Sequence, residues 1–394
     1  MFALLLAFGV VTWCALLVPR SGAQRSITPS TMARPAATAS PGGCGATASP
    51  KDDKDSKNSK DGKSDTGGKV EQQAASSSVS QCSEDLTLAS VNAKVTAYRN
   101  FPLSGNPAVT HAIVVVHGAG RNPVSTFTGM MQAARKVGAA ANTMVVSPWF
   151  KTSQDKPSSG EATWSEDGWK DGGAAEKPAG LSSFTVMDEI VTTLADKQRF
   201  PRLTWITLAG HSAGGQFMQR YAVFGKAPSR VGGVAFNFIS ANPSSYVYFT
   251  PDRPTAQGGF SPPQGGKCPD YNDYKYGMAK RTGYIAEADP RQALATYAHR
   301  RVSILNGGSD TFDNGDLDTR CAAMAQGPNR ATRGANWQRY MRLLAPGAPH
   351  DRIVVPGVDH NHYAMFESPL VTPVLFGPQA QQHAAGASIP QPAD

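Results

Sequence analysis

Gly210-His211-Ser212-Ala213-Gly214 is the stretch of the chain best suited to nucleophilic chemistry. It fits G-x-S-x-G, the pattern of a sharp strand-to-helix turn that lifts a serine hydroxyl clear of a sheet. Side chains two positions to either side would collide with such a turn, which is why Gly210 and Gly214 belong there. The context agrees. "LTWITLAG" before it reads as a buried strand, and Phe217, Met218 and Tyr221 after it recur at helical spacing. A helix starting at Ala213 would aim its amides at the place where negative charge develops when the serine attacks a carbonyl. The plainer alternative is a small-residue turn with an idle serine, so the rest of the chain must supply partners.

The partners must come from elements that reach the same place. "AKVTAYR", within Leu86 to Arg99, reads as a strand, and "HAIVVVHGAG" as a central strand ending at His117-Gly118. "TFTGMMQAARKVGAA" reads as a helix, "TMVVSPWF" as a strand and "SSFTVMDEIVTTLADK" as a helix capped by Ser182 or Ser183. Beyond the serine come a strand in "VGGVAFNFISA", an irregular insertion from Asn242 to about Pro290, and a strand in "RRVSILNGGSD". "NWQRYMRLLA" is a helix and "DRIVVPGVDH" the last strand. Strands alternating with helices predict an α/β fold, a mainly parallel central sheet with helices on both faces.

In such sheets functional groups gather at the carboxyl ends of strands. That rule selects His117-Gly118-Ala119-Gly120, Asp310 after "VSILNGGS", and His360 after "IVVPGVD". The order Ser212, Asp310, His360 is nucleophile, acid, base. His362 competes as the base, since a residue two positions on faces the same way in an extended segment. Asp313, Asp316 and Asp318 compete with Asp310, which stands nearest its strand. His350 precedes its strand, and His383 lies in a Pro/Gln/Ala-rich tail. His211 is expected to pack the turn.

On these residues the chain resembles a serine hydrolase of the α/β-hydrolase superfamily, over roughly residues 90 to 375. "GHSAGGQFMQRYA", "ANPSSYVYF" and "CPDYNDYKYG" further resemble a branch of exported hydrolases. The resemblance implies a carboxylic-ester hydrolase working through an acyl-enzyme, with His360 preferred over His362. It also implies an oxyanion hole made by the amides of Ala119 and Ala213. It equally admits a peptidase, a thioesterase or a polyester depolymerase. A non-catalytic surface or binding protein on the same fold is the reading from another class.

Trp164 and Trp169, with Tyr246 and Tyr248, are candidates for apolar substrate contact, or else pack loops onto the core. Arg121 either orients a substrate carboxylate or pairs with an aspartate. No cofactor is expected. "DHNH" and the carboxylates at 313 to 318 lack a matching ligand set, so no metal site is expected either.

Of 394 residues, 40% are hydrophobic and 17% charged, enough for one large domain plus extensions. A net charge of +8 raises the question of nucleic acid, but no basic cluster supports it. Arg330, Arg333, Arg339 and Arg342 read as a solvated helix face, with an anion site as the alternative. Residues 1–23 read as a signal peptide cleaved near Ala23, or a signal anchor. Only the anchor reading would give contact with a membrane.

Residues 24–85 read as a disordered linker, in which five Lys balance five Asp between Lys51 and Asp65. Residues 86–376 form the expected catalytic domain, and 377–394 a second tail. The protein is therefore expected to be secreted or held at the cell surface. In an exported chain Cys44, Cys82, Cys268 and Cys321 are expected to pair, by any of three connectivities. Cys268–Cys321 is the preferred pair, leaving Cys44 and Cys82 to the tail.

Overall fold

The structure, a computed structural model, describes residues 82–377. The signal segment, nearly all of the linker including Cys44, and the C-terminal tail with His383 lie outside the described residues.

Eight strands form one sheet in the order β1-β2-β4-β3-β5-β6-β9-β10. They are β1 (Ser83–Leu88), β2 (Ala93–Arg99), β3 (His111–Val116), β4 (Thr143–Pro148), β5 (Trp205–His211), β6 (Ala235–Ala241), β9 (Val302–Gly307) and β10 (His350–Val355). From β4 through β10 the neighbours are parallel. The first two strands run antiparallel at one edge. The short pair β7 (Arg253–Pro254) and β8 (Phe260–Ser261) lies within the insertion.

The central strands are buried on both faces, and their β-branched residues divide between two cores. Val114 and Val116 join one core, with α2 (Ser183–Ala195) and α3 (Ala213–Phe224) packed on it. Ile113 and Val115 join the other, under α1 (Pro123–Lys136). The alternation is the two-residue period of a strand serving helices on both sides. The described chain thus has the doubly covered sheet that its pattern predicts. The remaining helices are α4 (Pro290–His299), α5 (Cys321–Met324), α6 (Arg330–Leu344), α7 (His362–Phe366) and α8 (Thr372–Phe376).

Local chemistry sets the boundaries. Asn122 caps α1 by accepting from the Ser125 amide at 2.9 Å. Ser182 caps α2 through the Phe184 amide, while Ser183 donates to the Trp169 carbonyl.

The strand expected in "AKVTAYR" is β2, and it forms a hairpin with β1, Leu86 opposite Val95 and a left-handed Asn92 in the turn. One boundary changes. Pairing begins at Ser83, inside the stretch expected to be linker, and Cys82 beside it is fully buried. The cause is that Leu86 and Leu88 bury their side chains by pairing with β2, which a separate reading of each segment does not show. Among the described residues no helix is long and apolar enough to cross a membrane.

Candidate active site

Ser212 sits at the carboxyl end of β5, where φ is 59° and ψ is −120°. Such a conformation is strained by on the order of 1–3 kcal/mol in a residue with a Cβ and persists only where packing enforces it. Here the packing is backbone against backbone. A Cβ on Gly210 would lie 2.2 Å from the Gly214 carbonyl oxygen, and one on Gly214 would lie 2.1 Å from that of Val116. The two glycines let β5, α3 and the end of β3 close around the serine. The same approach brings in the next turn: a Cβ on Gly118 would lie 3.7 Å from the Ser212 Cβ.

Asp310 follows β9 and is buried to 1% exposure. Its Oδ2 accepts from His360 Nδ1 at 2.8 Å. This fixes the imidazole tautomer, leaving the lone pair on Nε2. That nitrogen is buried and has no hydrogen-bond partner, so the serine and the histidine are not hydrogen-bonded to each other in this state. Competing residues lie elsewhere. His362 turns towards α1, 3.4 Å from Ser125 Oγ. Asp313 accepts from the Gly315 and Leu317 amides of its own loop. Burial works to raise the Asp318 carboxyl, but Arg320 and the Tyr276 hydroxyl outweigh it and hold it at about 2. His350, at the start of β10, bonds the Tyr297 carbonyl through Nε2.

The loops that carry Asp310 and His360 are sewn together by groups the sequence reading did not single out. The Ser309 amide donates to the Val358 carbonyl at 2.9 Å and the Gly308 amide to that of Val355 at 2.8 Å. A Cβ on Gly307 would lie 2.4 Å from the Val358 oxygen, so this contact needs glycine. Asn242, just past β6, accepts from the Gly307 amide through Oδ1 and donates through Nδ2 to the Asp359 carbonyl. The same Nδ2 lies 3.2 Å from His211 Nε2, which must therefore accept. Burial holds the His211 pKa well below its usual value, with His360, His362 and Arg330 adding to the effect. Neutral His211 lies against the His360 ring, centroids 4.6 Å apart. The packing role expected of it is the one it has. The rule of strand ends that selected Asp310 and His360 also reaches Asn242, one position beyond β6.

The turn after β3 is pinned from behind. His117 Nε2 accepts from the Phe150 amide, and Nδ1 donates to the Gly118 carbonyl. Burial lowers the His117 pKa to about 4, so the ring is neutral. Trp169 packs on it at 4.6 Å. Of the two readings of Arg121, the structure has the pairing one: Nε donates to Asp155 Oδ2 at 2.7 Å.

Trp164, Trp169, Tyr246 and Tyr248 are each fully buried. Of the two readings given for them, the structure has the packing one. Trp164 packs edge-on against Phe150, and Tyr246 stacks on Trp337. The arginine cluster also divides. Arg339 and Arg342 are exposed, but Arg330 and Arg333 have no accessible surface. The expected solvated face is wrong for these two because α6 begins at Arg330 and turns its first turn onto the acid loop.

Cys268 and Cys321 form a disulfide, joining the insertion to α5. Asp270 converges on their sulfurs, but both are consumed by that bond, so no metal-binding thiol remains there. The two histidines of "DHNH" part company, one to Asp310 and one to Ser125.

This arrangement of a two-faced parallel sheet, a strained serine turn and an Asp–His pair on successive strand ends is the α/β-hydrolase fold. No protein-family model matches the chain, and no curated protein matches it. Solved structures do. LpqC, a poly(3-hydroxybutyrate) depolymerase from Bordetella parapertussis, is 20% identical with a TM-score of 0.51, covering 77% of this chain and 93% of its own. Poly(aspartic acid) hydrolase-1 from Sphingomonas sp. KT-1 is 20% identical with a TM-score of 0.50, covering 72% and 95%.

Proposed function

We propose that the protein is an exported serine hydrolase that cleaves carboxylic esters through an acyl-enzyme. The observation that carries this reading is the 2.8 Å hydrogen bond between Asp310 and His360, which leaves the His360 Nε2 buried and without a hydrogen-bond partner. His360 Nε2 takes the Ser212 proton as Oγ attacks the ester carbon. The oxyanion so formed is met by the amides of Ala213, at the start of α3, and Ala119, in the turn beside the serine. One such donor lowers the barrier by about 3 kcal/mol. Collapse breaks the ester bond, and the departing alcohol receives the proton from His360. Water then attacks the acyl-enzyme, His360 takes its proton, and the carboxylic acid leaves as Ser212 regains the hydrogen. Asp310 holds the tautomer throughout and stabilises the transient imidazolium.

The missing hydrogen bond between Ser212 and His360 is compatible with this, because such contacts commonly tighten only around substrate. Export is supported by the disulfide, a bond that persists in oxidising compartments. By name the two neighbours act on polymers, so oligomers of 3-hydroxybutyrate and of aspartate belong in a substrate screen beside simple esters.

A fluorophosphonate probe tests the reading without knowledge of the substrate. Labelling of the oxidised protein, mapped by mass to Ser212 and lost in Ser212→Ala and His360→Ala, is the expected result. Loss in His362→Ala but not in His360→Ala would reassign the base. Absence of labelling in folded protein would leave the fold serving as a binding surface.

A further inference from the structure

The acid has a second partner. Asp310 Oδ1, the oxygen not used by His360, lies 3.3 Å from Arg330 Nη1. This guanidinium has no accessible surface, and the carboxylate is 1% exposed. Arg330 spends its other donors on fixing itself: Nε donates to Ser244 Oγ at 3.1 Å and Nη2 to Asn314 Oδ1 at 3.1 Å. It stands first in α6, behind the cap Asn329. Its three partners come from three places: the loop after β6, the turn that follows β9, and the acidic loop beyond.

We infer that Arg330 is a positioning residue for the acid, holding the Asp310 carboxylate turned so that its free oxygen meets His360. This rests on the proposed roles of Ser212, His360 and Asp310. A carboxylate in a dry site needs compensation, and a cation anchored at one oxygen leaves the other aimed at the imidazole. The same cation, behind the carboxylate, weakens the pull of Asp310 on an imidazolium and so sets the pH at which His360 becomes a base.

The charged and titratable groups around this unit are few. Asp310 and neutral His211 touch the His360 ring; His362 lies further along its own segment. Asp313 and Asp316 face Arg330 from the acidic loop, and Arg333 follows one turn along α6. Arg333 supplies the control. It is equally buried, but it donates to the Gly327 and Ser244 carbonyls and not to the acid.

The test is the rate of fluorophosphonate labelling at Ser212 against pH, in the wild type, Arg330→Met, Arg330→Lys and Arg333→Met. Removing the cation lets the imidazolium persist to higher pH. Arg330→Met is thus expected to raise the midpoint of the acid limb by about half a unit or more, and to slow labelling at least about tenfold. Arg330→Lys keeps the charge without the fork, so its midpoint stays near the wild-type value and its rate falls between the two. Arg333→Met leaves the midpoint in place. If Arg330→Met labels with the wild-type midpoint and rate, the inference is overturned. If Arg330→Met does not fold by near-UV circular dichroism, Arg330→Lys decides, and a wild-type rate in that variant overturns it. Failure of the wild type to label at Ser212 overturns the catalytic reading itself, and this inference with it.

Discussion

His111, His117 and His211 are neutral because they are buried, and that gives the fold a pH dependence of its own. Burial lowers His111 to about 3 and His117 to about 4, and His211 well below 6.5. In the unfolded chain each would bind a proton near its usual value of about 6.5. Between that value and the depressed folded values the unfolded state therefore holds more protons, and stability rises with pH. Acidifying from about pH 7.5 to 5.5 removes roughly 1 kcal/mol for each such histidine, which is several degrees of melting temperature in all. Glu161 acts in a lower window. Burial raises its carboxyl, but hydrogen bonds from Lys151, Thr96 and Ser158 outweigh this and hold it at about 2, so its share is lost only as pH falls through the carboxylate range. Melting curves at three pH values check the prediction, and a flat profile from 7.5 to 5.5 would contradict the buried neutral imidazoles.

At the scale of elements, the junction of β5 with α3 makes the sharpest demand on sequence. Gly214→Ala would drive a Cβ into the Val116 carbonyl, backbone that cannot step aside. It is expected to destabilise the protein by about 3 kcal/mol or more and to abolish labelling of Ser212. Gly120→Ala, in the turn beside it, meets nothing within 4 Å and should fold like the wild type. Chemical denaturation of the two variants separates these outcomes.

This junction was legible in the sequence because it is local: strand, turn and helix follow one another within twenty residues. Asp310 and His360 were legible for the related reason that parallel strands deliver their ends to one side of a sheet. What escaped was set by contacts between distant segments. Arg330 and Arg333 carry the spacing of a wet helix face, and their burial is made tolerable by partners from other segments: Asp310, Ser244 and Asn314 for Arg330, and the Gly327 and Ser244 carbonyls for Arg333. Trp164 and Trp169 stand in a loop rich in glycine and charge, yet Phe150 and Phe217 from other elements enclose them. In the β1–β2 hairpin only β2 was legible, and β1 was hidden because Leu86 and Leu88 are buried by pairing with β2.

At the scale of the described chain, the Cys268–Cys321 disulfide ties the irregular insertion covalently to the segment that follows Asp310. It joins residues 53 positions apart. A closure of that length stabilises by about 4 kcal/mol in the chain-entropy picture. Replacing both Cys268 and Cys321 with serine is expected to lower stability by somewhat less, about 2–4 kcal/mol. The insertion should become the first site of cleavage in limited proteolysis. An unchanged cleavage map would show that packing of Tyr271 and Tyr276 under Ala322 and Ala323 suffices without the bond.

The indole of Trp169, wedged between His117 and Phe150 behind the Gly118 turn, has an optical consequence. Excited indole responds to its immediate surroundings, and here they are the imidazole that anchors the turn beside Ser212. If Ser212 is acylated as proposed, an acyl group seated in that turn would press on His117 and alter the emission of Trp169. An emission change on labelling that persists in Trp169→Phe would trace to another of the six tryptophans. Stopped-flow fluorescence could then follow acyl transfer as it happens, with no dye attached and no chromogenic leaving group.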